Sequence, residues 1–302
     1  MSKISAVVNT LNEQDNIKRC LKSLRFADQI VIVDMESEDD TVKIAKNYTD
    51  NIYSHKKTGY VEPARNFAIS KATGDWILLI DADEEISKTL ANKLIEIADN
   101  DLADFVRIPR KNIIFNNWVQ HSRWWPDHNI RFFKKGSVTW QNEIHSIPVT
   151  YGRGETLEAK EDWALIHHHY QSIEQYLTRM FRYSKIQAKH LLEEGYKFTP
   201  KDIILKPANE FLSRFFAGEG YKDGLHGFIL SLLQTFSEFI LYLQIWQKQG
   251  FKKTSSFKFY SLWFESLKDL THQFKFWHYT MRIHLEKNKY TKIFLKIKRK
   301  LG

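Results

Sequence analysis

The chain opens with short apolar segments separated by stretches of helical period. Ser5 to Asn9 and Ile30 to Asp34 read as strands, and Ile52 to His55 as a shorter one. Residues 76 to 80, Trp-Ile-Leu-Leu-Ile, are apolar without interruption, which fits a strand covered on both faces. Phe105 to Ile108 and Asn129 to Phe133 extend the set. Between them, Asn12 is placed to cap a helix running to Leu24, with Ile17, Cys20, Leu21 and Leu24 on one face. Thr41 to Lys46 forms another helix, Pro63 to Lys71 carries its Pro in the first turn, and Ser87 caps a helix to Ile97. Strands alternating with helices predict an α/β fold, a mostly parallel sheet flanked by helices.

Near residue 165 the pattern changes. Tyr176, Met180, Tyr183 and Ile186 form an apolar helical stripe, and helical spacing continues to the C-terminus. The predicted division is therefore an α/β domain over 1–166 and a helical extension over 167–302. Leu225 to Trp246 is the most apolar segment, but Glu238 at a bilayer centre would cost about 2.5 kcal/mol or more, so it is not read as a spanning helix. Ser231, Gln234, Thr235 and Glu238 fall at helical spacing, a polar stripe that suits a helix packed on the domain or lying in a membrane interface.

With 43% hydrophobic and 14% aromatic residues in 302, the chain can bury a sizeable core. Its one cysteine, Cys20, excludes an intramolecular disulfide and a thiolate zinc site, and reads as inert core. The N-terminus runs into a strand without the apolar stretch of an export signal, so a cytoplasmic location is expected. The net charge of +9 is lopsided: from His167 onward there are 23 Lys and Arg against 11 Asp and Glu. A basic surface of this kind meets anionic partners, lipid headgroups or nucleic acid.

The chemistry gathers where strands end. The apolar run stops at Asp81-Ala82-Asp83-Glu84-Glu85. In extended chain Asp81 and Asp83 project to one side, and such a pair suits Mg2+ or Mn2+ shared with phosphate oxygens. Asn9-Thr10-Leu11-Asn12-Glu13, Asp34 through Thr41, and Glu62-Pro63-Ala64-Arg65-Asn66 supply three more polar clusters. In a parallel sheet such ends line the ligand crevice.

Asn12-Glu13, Asp34 with Ser37, Asp39 and Thr41, then Ala64-Arg65-Asn66, then Gly74-Asp75 through Asp83, together resemble glycosyltransferase family 2, inverting nucleotide-sugar enzymes of GT-A fold. The likeness covers about the first 90 residues; Met35 and Glu36 replace the more usual small or polar pair. It implies a UDP-sugar donor, with Thr10, Asn12 and Glu13 on the nucleotide-sugar side and Asp34 on the uracil or ribose. Arg65 would reach the nucleotide, or else pair with local acids; Asp81 would lie near the ribose or sugar, and Asp83 would ligate the metal. Arg123 to Phe133 resembles the tryptophan-rich segment of the family's lipopolysaccharide-core subgroup, making Trp124 and Trp125 acceptor-binding candidates, with core packing as the alternative.

For the catalytic base Asp127 comes first, because aromatic neighbours would raise its pKa; Glu143 and His145 are reserves, and Ser146 stands where the subgroup has an acid. Of His167-His168-His169, one could complete the metal site, since neighbours on a strand face opposite ways. The glycines at 218, 220, 224 and 227 resemble a subgroup stretch and read as a structural turn, with Gly224 and Gly227 allowing close approach.

The expected activity is hexose transfer from a UDP-sugar to a glycan or lipid-linked acceptor at the inner membrane face. A nucleotidyltransferase is the alternative on a related fold, although Asn9 to Asp15 is neither Gly-rich nor basic. A nucleic-acid-binding protein using the basic aromatic tail is another, against which no known basic-domain signature appears and the acidic site would repel phosphate.

Overall fold

In the computed structural model, which describes residues 1–57, 61–140 and 148–301, the apolar runs of the first half align in one sheet. The order begins β1 (Ile4–Thr10), α1 (Ile17–Ser23), β2 (Gln29–Asp34), α2 (Thr41–Ala45), β3 (Ile52–Ser54), α3 (Glu62–Ser70) and β4 (Trp76–Asp81). It continues with β5 (Glu84–Glu85), α4 (Lys88–Asp99), β6 (Phe105–Ile108), β7 (Arg110–Ile114), β8 (Asn117–Trp118) and β9 (Asn129–Lys134). Then come β10 (Val138–Thr139), β11 (Val149–Thr150), β12 (Gly154–Thr156) and β13 (Leu165–Tyr170). Helices α5 (Ile173–Glu193), α6 (Asp202–Phe211), α7 (Gly224–Lys248), α8 (Ser256–Leu285) and α9 (Lys289–Leu301) follow.

The main sheet runs β12-β6-β9-β4-β1-β2-β3. Strands β4, β1, β2 and β3 are mutually parallel, and β9 enters antiparallel between β4 and β6. Alternation along the central strands feeds two apolar layers. Ala6, Val8, Ile32, Leu78 and Ile80 pack with α1 and α4, while Val7, Val31, Val33, Ile77 and Leu79 pack with Ala64 and Ala68 of α3. Each strand is covered on both faces, which is why residues 76–80 carry no polar position. A second sheet, β5-β13-β7-β8, stands beside the polar end of β4.

Ser87 caps α4 as expected, accepting from Leu90 N at 3.0 Å. Asn12 does not cap α1. The helix starts at Ile17, and Asn12, with φ of 54°, accepts from Glu38 N at 2.8 Å instead, tying the loop after β1 to the loop after β2. Cys20 is fully buried in the core, and burial pushes its thiol pKa well up.

The chain divides into two compact units: residues 1–118 with 124–169, and residues 119–123 with those from 170 on. The boundary passes after His169, so the histidine triplet belongs to the first unit rather than to the helical part. Within the second unit, Asp223 accepts from His121 N at 2.9 Å, and Ser122 N donates to Gly218 O at 2.7 Å. A Cβ at Gly227 would lie 1.8 Å from Gly220 O, so α7 can start here only without a side chain; Gly224 has open space around it but a φ of +60°. The polar stripe of α7 faces its neighbours. Ser231 is buried, Gln234 donates to the Tyr176 hydroxyl at 2.8 Å, and Gln244 donates to Ser184 Oγ at 3.0 Å, both partners on α5. Residues Gly220–Lys248 are long and apolar enough to cross a membrane by length and composition alone.

Candidate active site

The carboxyl ends of β1, β2 and β4 lie in register, Thr10 opposite Asp34 and Asn9 opposite Asp81. All but Asp81 are buried. Among the described residues, the Asn9 amide, Thr10 Oγ1 and Asp34 Oδ1 have no hydrogen-bond partner. Leaving a buried polar group unpaired costs about 1–3 kcal/mol, so a cluster of them at strand ends marks a place for a polar ligand. The loops that follow β1 and β2 are, by contrast, tied down. Asp34 Oδ2 accepts from Ser37 N at 3.0 Å, Ser37 Oγ accepts from Asn12 N at 2.8 Å, and Thr41 Oγ1 accepts from Glu13 N at 2.8 Å. Asn12 and Glu13 thus hold the two loops together. Burial of Asp39 acts to raise its pKa, but hydrogen bonds from Thr41 and from Gln14 N bring it below the ordinary value.

A chain of alternating acids and guanidiniums extends from Asp81. Its carboxylate pairs with Arg131 and, at 3.4 Å, with Arg65, whose guanidinium also lies over the Trp140 ring. The ion pair foreseen as the alternative for Arg65 is therefore present. Arg131 is buried and donates to the fully buried Glu84 at 3.0 Å, and Glu84 Oε2 accepts from Asp81 N at 2.9 Å. Burial would push the Asp81 pKa up; the charges of Arg131 and Arg65 outweigh it and hold the carboxylate well below its usual range. Arg110 continues the chain, lying 3.5 Å from Glu84 and donating twice to Asp127 Oδ2, at 2.8 and 2.7 Å.

Asp127 is accordingly not raised. Burial acts in that direction, but Arg110 and the hydrogen bond from Asn112 prevail and lower its pKa, reversing the expectation from its aromatic neighbours.

Asp83 is also placed otherwise than extended chain would put it. The strand stops at Asp81, and Ala82 and Asp83 form a turn, so the two-residue alternation does not carry across. Buried Asp83 faces His167 of β13, Oδ2 to Nε2 at 3.5 Å. Asn112 of β7 orients the histidine ring. Its Nδ2 donates to Trp124 O at 2.7 Å and to Asp127 Oδ2 at 3.1 Å, which turns its Oδ1 to His167 Nδ1 at 2.7 Å. Nδ1 is then a donor to Asn112, and Nε2 is the ring nitrogen turned toward the Asp83 carboxylate. An imidazole nitrogen beside a carboxylate in a buried site is a pair of ligand types that a divalent cation takes. Among the described residues there is no group of three His, Cys, Asp or Glu side chains suited to a metal, so remaining ligands would come from phosphate and water.

His168 takes a different carboxylate, Glu85, at 3.6 Å, and this contact together with the nearby charges lowers the Glu85 pKa against a smaller opposing effect of burial. His169 stands edge-on to Trp124 with ring centroids 5.6 Å apart, and Trp125 edge-on to Trp118 at 5.3 Å; both tryptophans are half-buried. Glu143 and His145 lie outside the described residues. Glu84 and Arg131 fall within the motifs read from the sequence but without a site role, and Arg110 and Asn112 fall within none. Arg110 and Asn112 sit two apart on β7 and so share a face, the one sequence signal that could have exposed them.

Parallel strand ends presenting unpaired polar groups, with an acid–histidine pair nearby, form a candidate ligand crevice at the carboxyl edge of an α/β sheet, the arrangement of an α/β enzyme. Comparison with known proteins gives the family. A glycosyl transferase family 2 model matches residues 5–153. The chain is 32% identical over 250 residues to an uncharacterised glycosyltransferase of Rickettsia typhi, across 80% of this chain and 85% of that one. It is 24% identical over 258 residues to LpsC of Rhizobium meliloti, a lipopolysaccharide core biosynthesis glycosyltransferase, across 82% of this chain and 94% of that one. Among solved structures, S. aureus TarS 1–349 in complex with UDP gives a TM-score of 0.44 at 18% identity, covering 84% of this chain and 94% of that chain. The chain belongs to glycosyl transferase family 2, and its layered α/β sheet with a helical C-terminal part is of the GT-A class.

Proposed function

We propose that the protein moves a hexose from a UDP-sugar, with inversion, to a glycan or lipid-linked acceptor of the cell envelope. The observation that carries this reading is the set of unpartnered buried groups on Asn9, Thr10 and Asp34 at the ends of β1 and β2, with the Asp83–His167 pair after β4. Asn9, Thr10 and Asp34 would take up the nucleoside, and Arg65 the diphosphate. Asp81, fixed by Arg131, would lie against the ribose or sugar. Asp83 and His167 would hold Mg2+ or Mn2+, and an imidazole ligand favours Mn2+ of the two. When bound, the ion supplies Lewis-acid stabilisation of the departing nucleoside diphosphate.

Asp127 stays ionised beside Arg110 and would accept the proton of the acceptor hydroxyl as its oxygen attacks the anomeric carbon. Glu143 and His145 remain the reserves for this role, and Trp124 and Trp125 would stack on the acceptor sugar. The name of LpsC supports an envelope glycan as acceptor. A lipid-linked acceptor suits a cytoplasmic protein peripheral on the inner membrane face, to which the basic C-terminal half would be drawn. The test is donor hydrolysis across UDP-, GDP- and dTDP-sugars with Mn2+ or Mg2+. UDP-sugar turnover that needs the ion and is lost in Asp83→Ala is expected; turnover independent of both would overturn the reading.

A further inference from the structure

The last helix, α9, carries five Lys and one Arg and no acidic residue over 289–301. Its Tyr290, Ile293, Phe294 and Ile297 are 82, 49, 55 and 52% exposed. Their spacing of three, one and three residues puts them on one face. The opposite side is the packed one. Leu295 is buried, and Arg299 donates to Thr280 of α8 at 3.3 Å with its guanidinium over the Phe276 ring. The apolar row is thus held outward by contacts on its back. On α8 the same arrangement recurs at Phe257, Tyr260 and Phe264, all exposed.

A helix at a water-facing surface turns its apolar stripe inward. This one presents the stripe to its surroundings and flanks it with lysines, the pattern of a helix lying in a membrane interface. Charge decides the occupant. A second copy would bring the same excess of lysine and repel, whereas anionic headgroups complement it. Nucleic acid would also answer the charge, but bases stack on aromatic rings, and two of the four outward residues, Ile293 and Ile297, are aliphatic.

We propose that α9 is a membrane-surface anchor that seats Tyr290, Ile293, Phe294 and Ile297 at the headgroup–acyl boundary of an anionic bilayer, its lysines meeting the headgroups. The inference deepens the reading of a lipid-linked acceptor and rests on it for the choice of membrane.

The experiment is sedimentation of the full chain with phosphatidylcholine vesicles, with and without phosphatidylglycerol, at low and high salt. Binding to the anionic vesicles alone, weakened by salt, is expected. Ile293→Glu with Phe294→Glu should lower the partition at least tenfold. Lys292→Gln, Lys296→Gln and Lys298→Gln together should do the same, since each lysine near an anionic surface contributes about fivefold. Either set partitioning like the parent, equal binding to neutral vesicles, or binding to a single-stranded oligonucleotide with none to vesicles would overturn the proposal. So would a dimer abolished by Ile293→Glu without any vesicle binding. UDP-sugar hydrolysis is measured on the same samples: its absence with vesicle binding intact would sink the transferase reading and leave the anchor standing.

Discussion

Asn112 uses one amide for two purposes, donating to Asp127 and accepting from His167. Outer partners of this kind fix a ligand's tautomer, and their loss typically weakens metal binding about 10–100-fold. Asn112→Ala should therefore raise by that factor the Mn2+ concentration giving half-maximal turnover of a UDP-sugar; an unchanged titration would detach Asn112 from the metal site. Asp127 gives a pH signature. Because Arg110 and Asn112 hold its pKa below the ordinary aspartate value of about 3.9, it remains a proton acceptor at every higher pH, and the acid limb of kcat/KM should fall below about pH 4. An acid limb near pH 6.5, the ordinary histidine range, would move the role to His145. Arg131 pairs with both Asp81 and buried Glu84. Arg131→Ala should cost about 3–5 kcal/mol in urea unfolding, because it leaves those carboxylates without their counter-charge; a loss under about 1 kcal/mol would show that Arg65 and Arg110 suffice.

Strands β1, β2 and β4 were legible in advance because strands covered on both faces carry runs of apolar residues, unbroken over 76–80 and ending in polar residues at the carboxyl ends of all three. What could not be read were elements whose pairing is set by residues far away. Strands β5 and β8 are two residues long, too short for any periodicity, yet with β7 and β13 they carry Glu84, Arg110, Asn112 and His167 to one place. Asn12 looked like a cap because its side chain can serve as one; in the fold that side chain is spent on Glu38 N, and α1 begins later. Asp81 and Asp83 were expected to project to one side of an extended strand; a turn separates them instead. The glycines before α7 behave as the sequence suggested at Gly227, where contact forbids a Cβ. Gly227→Ala should cost about 3 kcal/mol or more, read from urea unfolding of the full chain, and a variant that unfolds like the parent would contradict the packing.

The charge imbalance between the halves matches a division of labour. The first unit holds the acids and their guanidinium partners, and the second, with 23 basic against 11 acidic residues from Tyr170 onward, carries the cationic excess. Composition alone announced that asymmetry, but not which helix carries it outward; the buried Leu295 and the exposed row of α9 supply that. The donor site remains the centre of the account, and calorimetric titration of UDP with and without Mn2+, on the parent chain and on Asp83→Ala, tests it most directly. The parent should bind UDP at least tenfold more tightly with the ion than without it, and Asp83→Ala should lose that difference. UDP binding of equal affinity with and without Mn2+, unchanged in Asp83→Ala, would contradict the account.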